Sequence, residues 1–289
     1  MGNQVAIITD STAYLPRDWI EKYGVKVAPS VVIWDGEELR DWYDITAQEF
    51  FKRLSKSSTM PTTSQPTPAY FKELYENLLA EGKDILGVHI SHKLSGTFSS
   101  AEQARALFPD AKIENVDTLS ASMGEGWPLL MAVRAAQDGK SLAECRAIVE
   151  EACNHTGILL TVETLEFLHR GGRIGGASRL LGTALKLKPI LEVIEGRIEP
   201  AENVRTRKKS LARLAELAIE RIGEAKPIYM AAIHATAPED AEYVLEQVAE
   251  RIPLKARLVT DVSPTVGTHT GPGTVGLAYM AGYDYVSDK

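Results

Sequence analysis

The chain has 289 residues, 44% of them hydrophobic and 25% charged, with a net charge of -7 at neutral pH. That composition excludes an intrinsically disordered chain, and its acidic balance speaks against a broad nucleic-acid-binding surface. No apolar run approaches the roughly 18 residues that a membrane-spanning helix needs, so a cytoplasmic protein that touches a membrane at most transiently at its surface is expected.

Apolar runs at 5–9, 25–33, 85–90 and 112–116 predict strands, and the patterns at 47–55, 68–80, 99–107 and 126–138 predict helices. This alternation implies a largely parallel sheet covered by helices. Ser141 and Glu144 form a capping box ahead of a further helix that carries Cys145 and Cys153, the only two cysteines. Their separation along that helix, roughly 12 Å, is too large for a disulfide. A second block begins after Gly157, with a strand at 158–162, a short helix at 163–168, a glycine-rich loop at 170–176 and a helix at 178–187. Strands at 189–194, 228–234 and 256–262 follow, with long helices at 210–222 and 238–252. The expected architecture is α/β with two lobes: 1–157, a mostly parallel sheet flanked by helices, and 158–289, a second α/β lobe with a mixed sheet.

In open α/β sheets ligands gather at the carboxyl ends of the strands. The first strand runs into Thr9-Asp10-Ser11-Thr12, and the strand at 85–90 into Ser91-His92-Lys93-Leu94-Ser95-Gly96-Thr97. Ser95 sits where the amides of a helix N-terminus collect, and Gly96 lets backbone approach a ligand closely, although a serine there also serves as an ordinary cap. Pro61-Thr62-Thr63-Ser64-Gln65-Pro66 reads as a hydroxyl-dense loop braced by two prolines, which suits either a small anionic group or a helix cap. The segment from Gly171 to Gly176 holds Arg173 among four glycines, and the segment from Gly267 to Gly276 places His269 just before an expected helix start. Neither has the ending of a Walker A loop, so nucleotide binding is not indicated. His89 reads as a satisfied core histidine. No spacing suggests a metal site, and no Ser/His/acid arrangement suggests a catalytic nucleophile.

Taken in order, Thr9-Asp10-Ser11-Thr12, Pro61-Thr62-Thr63-Ser64-Gln65-Pro66, Leu94-Ser95-Gly96-Thr97, Gly172-Arg173-Ile174, Lys186-Leu187-Lys188-Pro189-Ile190, Val204-Arg205-Thr206 and His269-Thr270-Gly271-Pro272-Gly273 resemble the motifs of the DegV family and span essentially the whole chain. DegV proteins are similar to the bacterial FakB subunits, which hold a fatty acid in a tunnel and present its carboxylate to a separate ATP-dependent kinase. The resemblance therefore implies a two-lobed α/β protein without a cofactor, whose ligand is a long-chain fatty acid such as hexadecanoate and whose partner is a fatty acid kinase. It implies that Thr62 and Ser95 bind the carboxylate, with Arg173 and His269 beside them, and that the product carried is an acyl phosphate.

Elementary energetics agree with that assignment. A carboxylate removed from water needs hydrogen bonds in place of its hydration, and hydroxyls supply them without burying another charge. The acyl tail gains about 0.8 kcal/mol per buried methylene, so it sets affinity while the head-group loops set orientation. The competing reading is an enzyme, a small-molecule kinase or hydrolase that uses the glycine-rich loops. Arg205, Arg207, Lys208 and Lys209 form a basic cluster at the start of the helix at 210–222, where cations oppose the helix dipole. They are either a solvated face or a docking patch for an acidic surface on the kinase.

Overall fold

The computed structural model describes residues 4–182 and 187–286. In chain order the first part comprises β1 (Val5–Asp10), α1 (Arg17–Tyr23), β2 (Lys26–Ala28), β3 (Val31–Trp34), β4 (Glu37–Arg40), α2 (Ala47–Leu54), β5 (Thr62–Ser64), α3 (Pro68–Ala80), β6 (Asp84–His89), α4 (Thr97–Arg105), β7 (Ile113–Asp117), α5 (Met123–Gln137) and α6 (Leu142–Cys153). The second part comprises β8 (Thr156–Thr161), α7 (Glu166–Arg170), a 3-10 turn (Gly175–Leu180), β9 (Lys188–Ile194), β10 (Arg197–Val204), α8 (Arg207–Ile222), β11 (Ile228–His234), α9 (Pro238–Ala249), β12 (Ala256–Asp261), α10 (Pro264–Thr270) and β13 (Val275–Ala281).

The α/β architecture is as expected. The first lobe has a parallel sheet in the order β2-β1-β6-β7, and the second a six-stranded mixed sheet in the order β10-β9-β8-β13-β11-β12. A small antiparallel sheet, β4-β3-β5, is added to the first lobe. Helix α5 is buried on nearly every side because it lies between the two large sheets. Its Glu125 accepts a hydrogen bond from Thr9 on β1 (3.0 Å), and its Trp127 donates to the Ala278 carbonyl on β13 (3.1 Å). The hydrophobic core is thus continuous across the lobes, with Trp127, Met131 and Tyr229 in one cluster.

Local chemistry explains the elements that the sequence places well. Thr67 caps α3 by accepting the Tyr70 amide, and Pro68 follows at the first helical position, where its missing N–H costs nothing. The capping box of Ser141 and Glu144 opens α6. Other expectations need correction. The run at 25–33 is two strands, β2 and β3, because Pro29 cannot continue a ladder and the chain leaves one sheet for another there. The stretch from Thr62 to Ser64 is not loop but edge strand β5. His269 does not precede a helix; it sits in the last turn of α10, and the next element along the chain is strand β13. The short helix at 163–168 lies at Glu166–Arg170, and the start of the helix expected at 178–187 is instead the end of the 3-10 turn Gly175–Leu180. Residues 183–186 of that expected helix, with Lys186 of the Lys-Leu-Lys-Pro-Ile motif, lie outside the described residues.

Candidate functional site

One cavity, with about 850 Å³ of atom-free space including its mouth, opens between the lobes. Its surface is mostly apolar, with side chains from both: Ile90 and Leu94 from the first lobe, Ile158, Leu160, Leu168, Val193, Ile198, Ile233 and Val262 from the second. Polar side chains from several chain segments of both lobes also reach it, and three of the four anticipated site residues, Ser95, Arg173 and His269, are among its lining. Thr62 is not. It is exposed, and its neighbour Thr63 lines the cavity instead. The reason is the period of two along β5: Thr63 pairs with Val32, a fully buried residue, so its side chain takes the inward face and that of Thr62 the outward one.

Thr63 Oγ1 lies 2.8 Å from His269 Nε2, a hydrogen bond across the lobes. Burial, with the Arg173 guanidinium nearby, pulls the His269 ring down to about 4, so the imidazole is neutral at physiological pH. Its Nδ1 is buried and has no partner, and it stands 2.0 Å from where a Cβ on residue 171 would be. Gly171 is therefore required for space. Arg173 is held by two backbone carbonyls, donating from Nε to Leu94 (3.0 Å) and from Nη1 to Gly171 (2.7 Å). Those bonds tie the loop at 94–96 to the glycine-rich segment and leave the rest of the guanidinium fork without a partner among the described residues. Ser95 Oγ contacts Thr97 Oγ1 at 2.9 Å and accepts the Thr97 amide at 3.3 Å, at the start of α4. Gln65 packs against Gly96, so the segment of Thr63 to Gln65 and the turn of Ser95 are adjacent. The glycines thus give close approach around one arginine and one histidine.

Below the cavity lies a buried carboxyl pair that the sequence did not suggest. Thr12 lines the cavity, and its hydroxyl is shared between Asp10 (2.5 Å) and Glu125 (3.1 Å). Burial, and then the Asp10 charge, raises Glu125 well above the usual carboxylate range. His89 is in the core as expected but is not satisfied there: both ring nitrogens lack a hydrogen-bond partner, with Nδ1 3.5 Å from Asp10 and the ring edge-on to Phe71. A second buried carboxyl, Asp41, accepts the Thr265 amide (3.0 Å) and fastens the start of α10 to the first lobe; burial pushes it up to about 6.

The basic cluster is divided. Arg207 turns inward and pairs with Asp240 (2.7 Å) and Glu163 (3.2 Å), whereas Arg205, Lys208 and Lys209 are exposed, with no ion pair among the described residues. No group of three His, Cys, Asp or Glu able to hold a metal occurs among the described residues, and none of their helices is long and apolar enough to cross a membrane.

Fold and site define a class, two-lobed α/β proteins that enclose an apolar cavity with polar groups between their lobes. The chain belongs to the DegV family: the family described as "Uncharacterised protein, DegV family COG1307" matches residues 4–282. A DegV domain-containing protein of Streptomyces coelicolor is 38% identical over 279 residues, covering 96% of this chain and 98% of the relative. Among solved structures, a fatty-acid-binding DegV family protein from Thermus thermophilus is similar with a TM-score of 0.91 and 38% identity, covering 96% of this chain and 99% of that one. DegV from Bacillus subtilis, a fatty acid binding protein, matches with a TM-score of 0.88 and 30% identity over 97% of this chain and 100% of its own.

Proposed function

We propose that this protein is a carrier of a long-chain fatty acid, such as hexadecanoate, whose tail fills the interlobe cavity and whose carboxylate is received by Thr63, Ser95 and Arg173, with His269 orienting the Thr63 hydroxyl. The observation that carries the reading is an interlobe cavity with a mostly apolar surface whose lining includes a neutral histidine bonded to a threonine and an arginine pinned by backbone carbonyls. Solved DegV proteins that bind fatty acids support it.

The chemistry follows from protonation. A neutral His269 with its proton on Nε2 donates to Thr63 Oγ1, which leaves the Thr63 hydroxyl proton for the ligand carboxylate. Ser95 supplies a second hydroxyl, and the unpartnered part of the Arg173 fork supplies charge. Hydrogen bonds to a carboxylate contribute about 1.5–3 kcal/mol each. The tail contributes more, on the order of 10 kcal/mol gross at about 0.8 kcal/mol per methylene, before the costs of association.

The finer reading is that the carrier presents the carboxylate to an ATP-dependent fatty acid kinase and keeps the acyl phosphate. Arg173 suits the larger negative charge of that product, and the exposed Arg205, Lys208 and Lys209 suit an acidic docking surface; Arg207 is committed to its own ion pairs. Mass spectrometry of lipid extracted from the purified protein tests the carrier reading directly. A stoichiometric long-chain acid is expected, and a protein that retains none, even after incubation with hexadecanoate, refutes it.

A further inference from the structure

Ser122 lies between β7 and the start of α5, lines the cavity and is only 2% exposed. Its hydroxyl has no hydrogen-bond partner among the described residues. Of the cavity-lining side chains, Thr265 is the other with a buried hydroxyl that lacks a partner. Thr12 is bound to Asp10 and Glu125, Thr63 to His269, and Thr274 to the Thr270 and Gly271 carbonyls. Thr265 is held through its amide by Asp41. Nor does Ser122 cap α5: the side chain accepts no helix amide, and the Glu125 and Gly126 amides go to its backbone carbonyl instead. A buried hydroxyl in apolar surroundings costs free energy until it is paired, and Ser122 borders the cavity, where a ligand can pair with it.

We propose that Ser122 is a second polar station in the cavity, which binds an oxygen function carried along the acyl chain, so that the protein takes oxygenated fatty acids, hydroxy or oxo, as well as plain ones. The inference rests on reading the cavity as a fatty-acid site. It needs one donor and one acceptor: the Ser122 hydroxyl donates to the in-chain oxygen, and a hydroxy acid can also donate back. Among the described residues no hydrogen bond links Ser122 to the carboxylate residues. Its turn adjoins Ile158, whose side chain occupies the space left by Gly124.

The test is displacement of a fluorescent fatty acid by stearic acid, by hydroxystearic acids with the hydroxyl at successive positions, and by the matching oxo acids. Wild type is compared with Ser122→Ala and Ser122→Gly, the latter suited to the φ of 49° at this position, with thermal denaturation to confirm folding. One hydroxyl position should bind as tightly as stearic acid or more so. Both variants should weaken that isomer by about 5- to 10-fold while changing stearic acid less than about 2-fold, the size of one neutral buried hydrogen bond. An oxo acid that behaves like its hydroxy counterpart supports Ser122 as donor, and a response of the hydroxy acid alone supports two-way bonding. Absence of any positional preference, or equal losses for plain and oxygenated acids, overturns the proposal. If stearic acid itself does not bind wild type, the fatty-acid reading fails and takes this one with it.

Discussion

Replacing Thr63 by valine keeps the shape and strand preference of the side chain and removes only its hydroxyl. That hydroxyl is bonded to His269 Nε2 at 2.8 Å, and in the proposed complex it also donates to the ligand carboxylate. Loss of a hydrogen bond to a charged group corresponds to about 1.5–3 kcal/mol, a fall in fatty-acid affinity of about 10- to 150-fold. Loss of the histidine bond leaves both ring nitrogens unpartnered, since Nδ1 has none already, and an unsatisfied buried polar group costs about 1–3 kcal/mol of stability. The melting temperature should fall by several degrees, at roughly 2–4 °C per kcal/mol for chains of this size. Thr62→Val is the internal control, because its side chain faces solvent and an exposed substitution is worth within about 0.5 kcal/mol. Isothermal titration with hexadecanoate and thermal denaturation of both variants separate the effects. If Thr62→Val weakens binding and Thr63→Val does not, the inward register of β5 is wrong. If Thr63→Val lowers the melting temperature at unchanged affinity, Thr63 only braces His269 and does not touch the ligand.

The pair Thr62 and Thr63 also shows where sequence reasoning ran out. Apolar runs between helical patterns were enough for the parallel sheet: β1, β6 and β7 lie within a residue or so of their expected positions, and β11 and α3 within the bounds expected. Those elements carry their own signals, continuous apolar stretches for strands and a threonine and proline at the start of α3. A three-residue strand carries none, because alternation needs more residues to be read, and β5 is defined by its pairing with β3, almost thirty positions away. Strand β13 hid for a different reason. It is apolar on both faces in the middle of a sheet, so Val275 to Ala281 has no period of two, and the preceding glycines suggested a helix start. Strand β10 carries a proline and three charged residues, and its register shifts beside that proline. Ser95, Arg173 and His269 were found through the order of family motifs, whereas Ser122 and Glu125 belong to no motif, and the pairing of Glu125 with Asp10 of the first motif is visible only in the hydrogen bonds around the cavity.

Three further experiments probe the site. The His269 ring titrates near 4 in the folded protein and near 6.5 when unfolded, so between those values the unfolded chain holds more protons and stability falls as the solution is acidified through that window. Relative to His269→Gln, wild type should therefore lose on the order of 3 kcal/mol between neutral pH and pH 4, while the opposite contributions of Asp41 and Glu125, both raised, are common to the two proteins and cancel in the difference. Denaturant titrations across that range that give a constant difference would refute the assignment of a neutral histidine. Reversing the charges of Arg205 and Lys209 should slow kinase-coupled phosphorylation and flatten its salt dependence with hexadecanoate affinity unchanged; turnover like the parent across a salt series makes the cluster a solvated face. The last experiment concerns the far wall of the cavity. Ile158 and Val193 line both the cavity and a polar groove on the outside of the protein, bounded by Asp117, Arg146 and Glu150, so the partition there is about one side chain thick. Such a wall limits acyl length, since a longer tail must either buckle or displace it. Ile158→Ala should open the cavity toward the groove and shift the retained acids to longer chains, each extra buried methylene contributing about 0.8 kcal/mol, or roughly fourfold in affinity. Truncating a packed isoleucine also costs about 2–5 kcal/mol of stability, so Ile158→Val, at about 0.5–1.5 kcal/mol, serves as the milder variant and should move the distribution in the same direction. Lipid mass spectrometry after incubation with an equimolar series of saturated acids reads the outcome. Identical chain-length distributions for wild type and both variants would mean that the tail ends short of Ile158 and that another part of the wall sets its length.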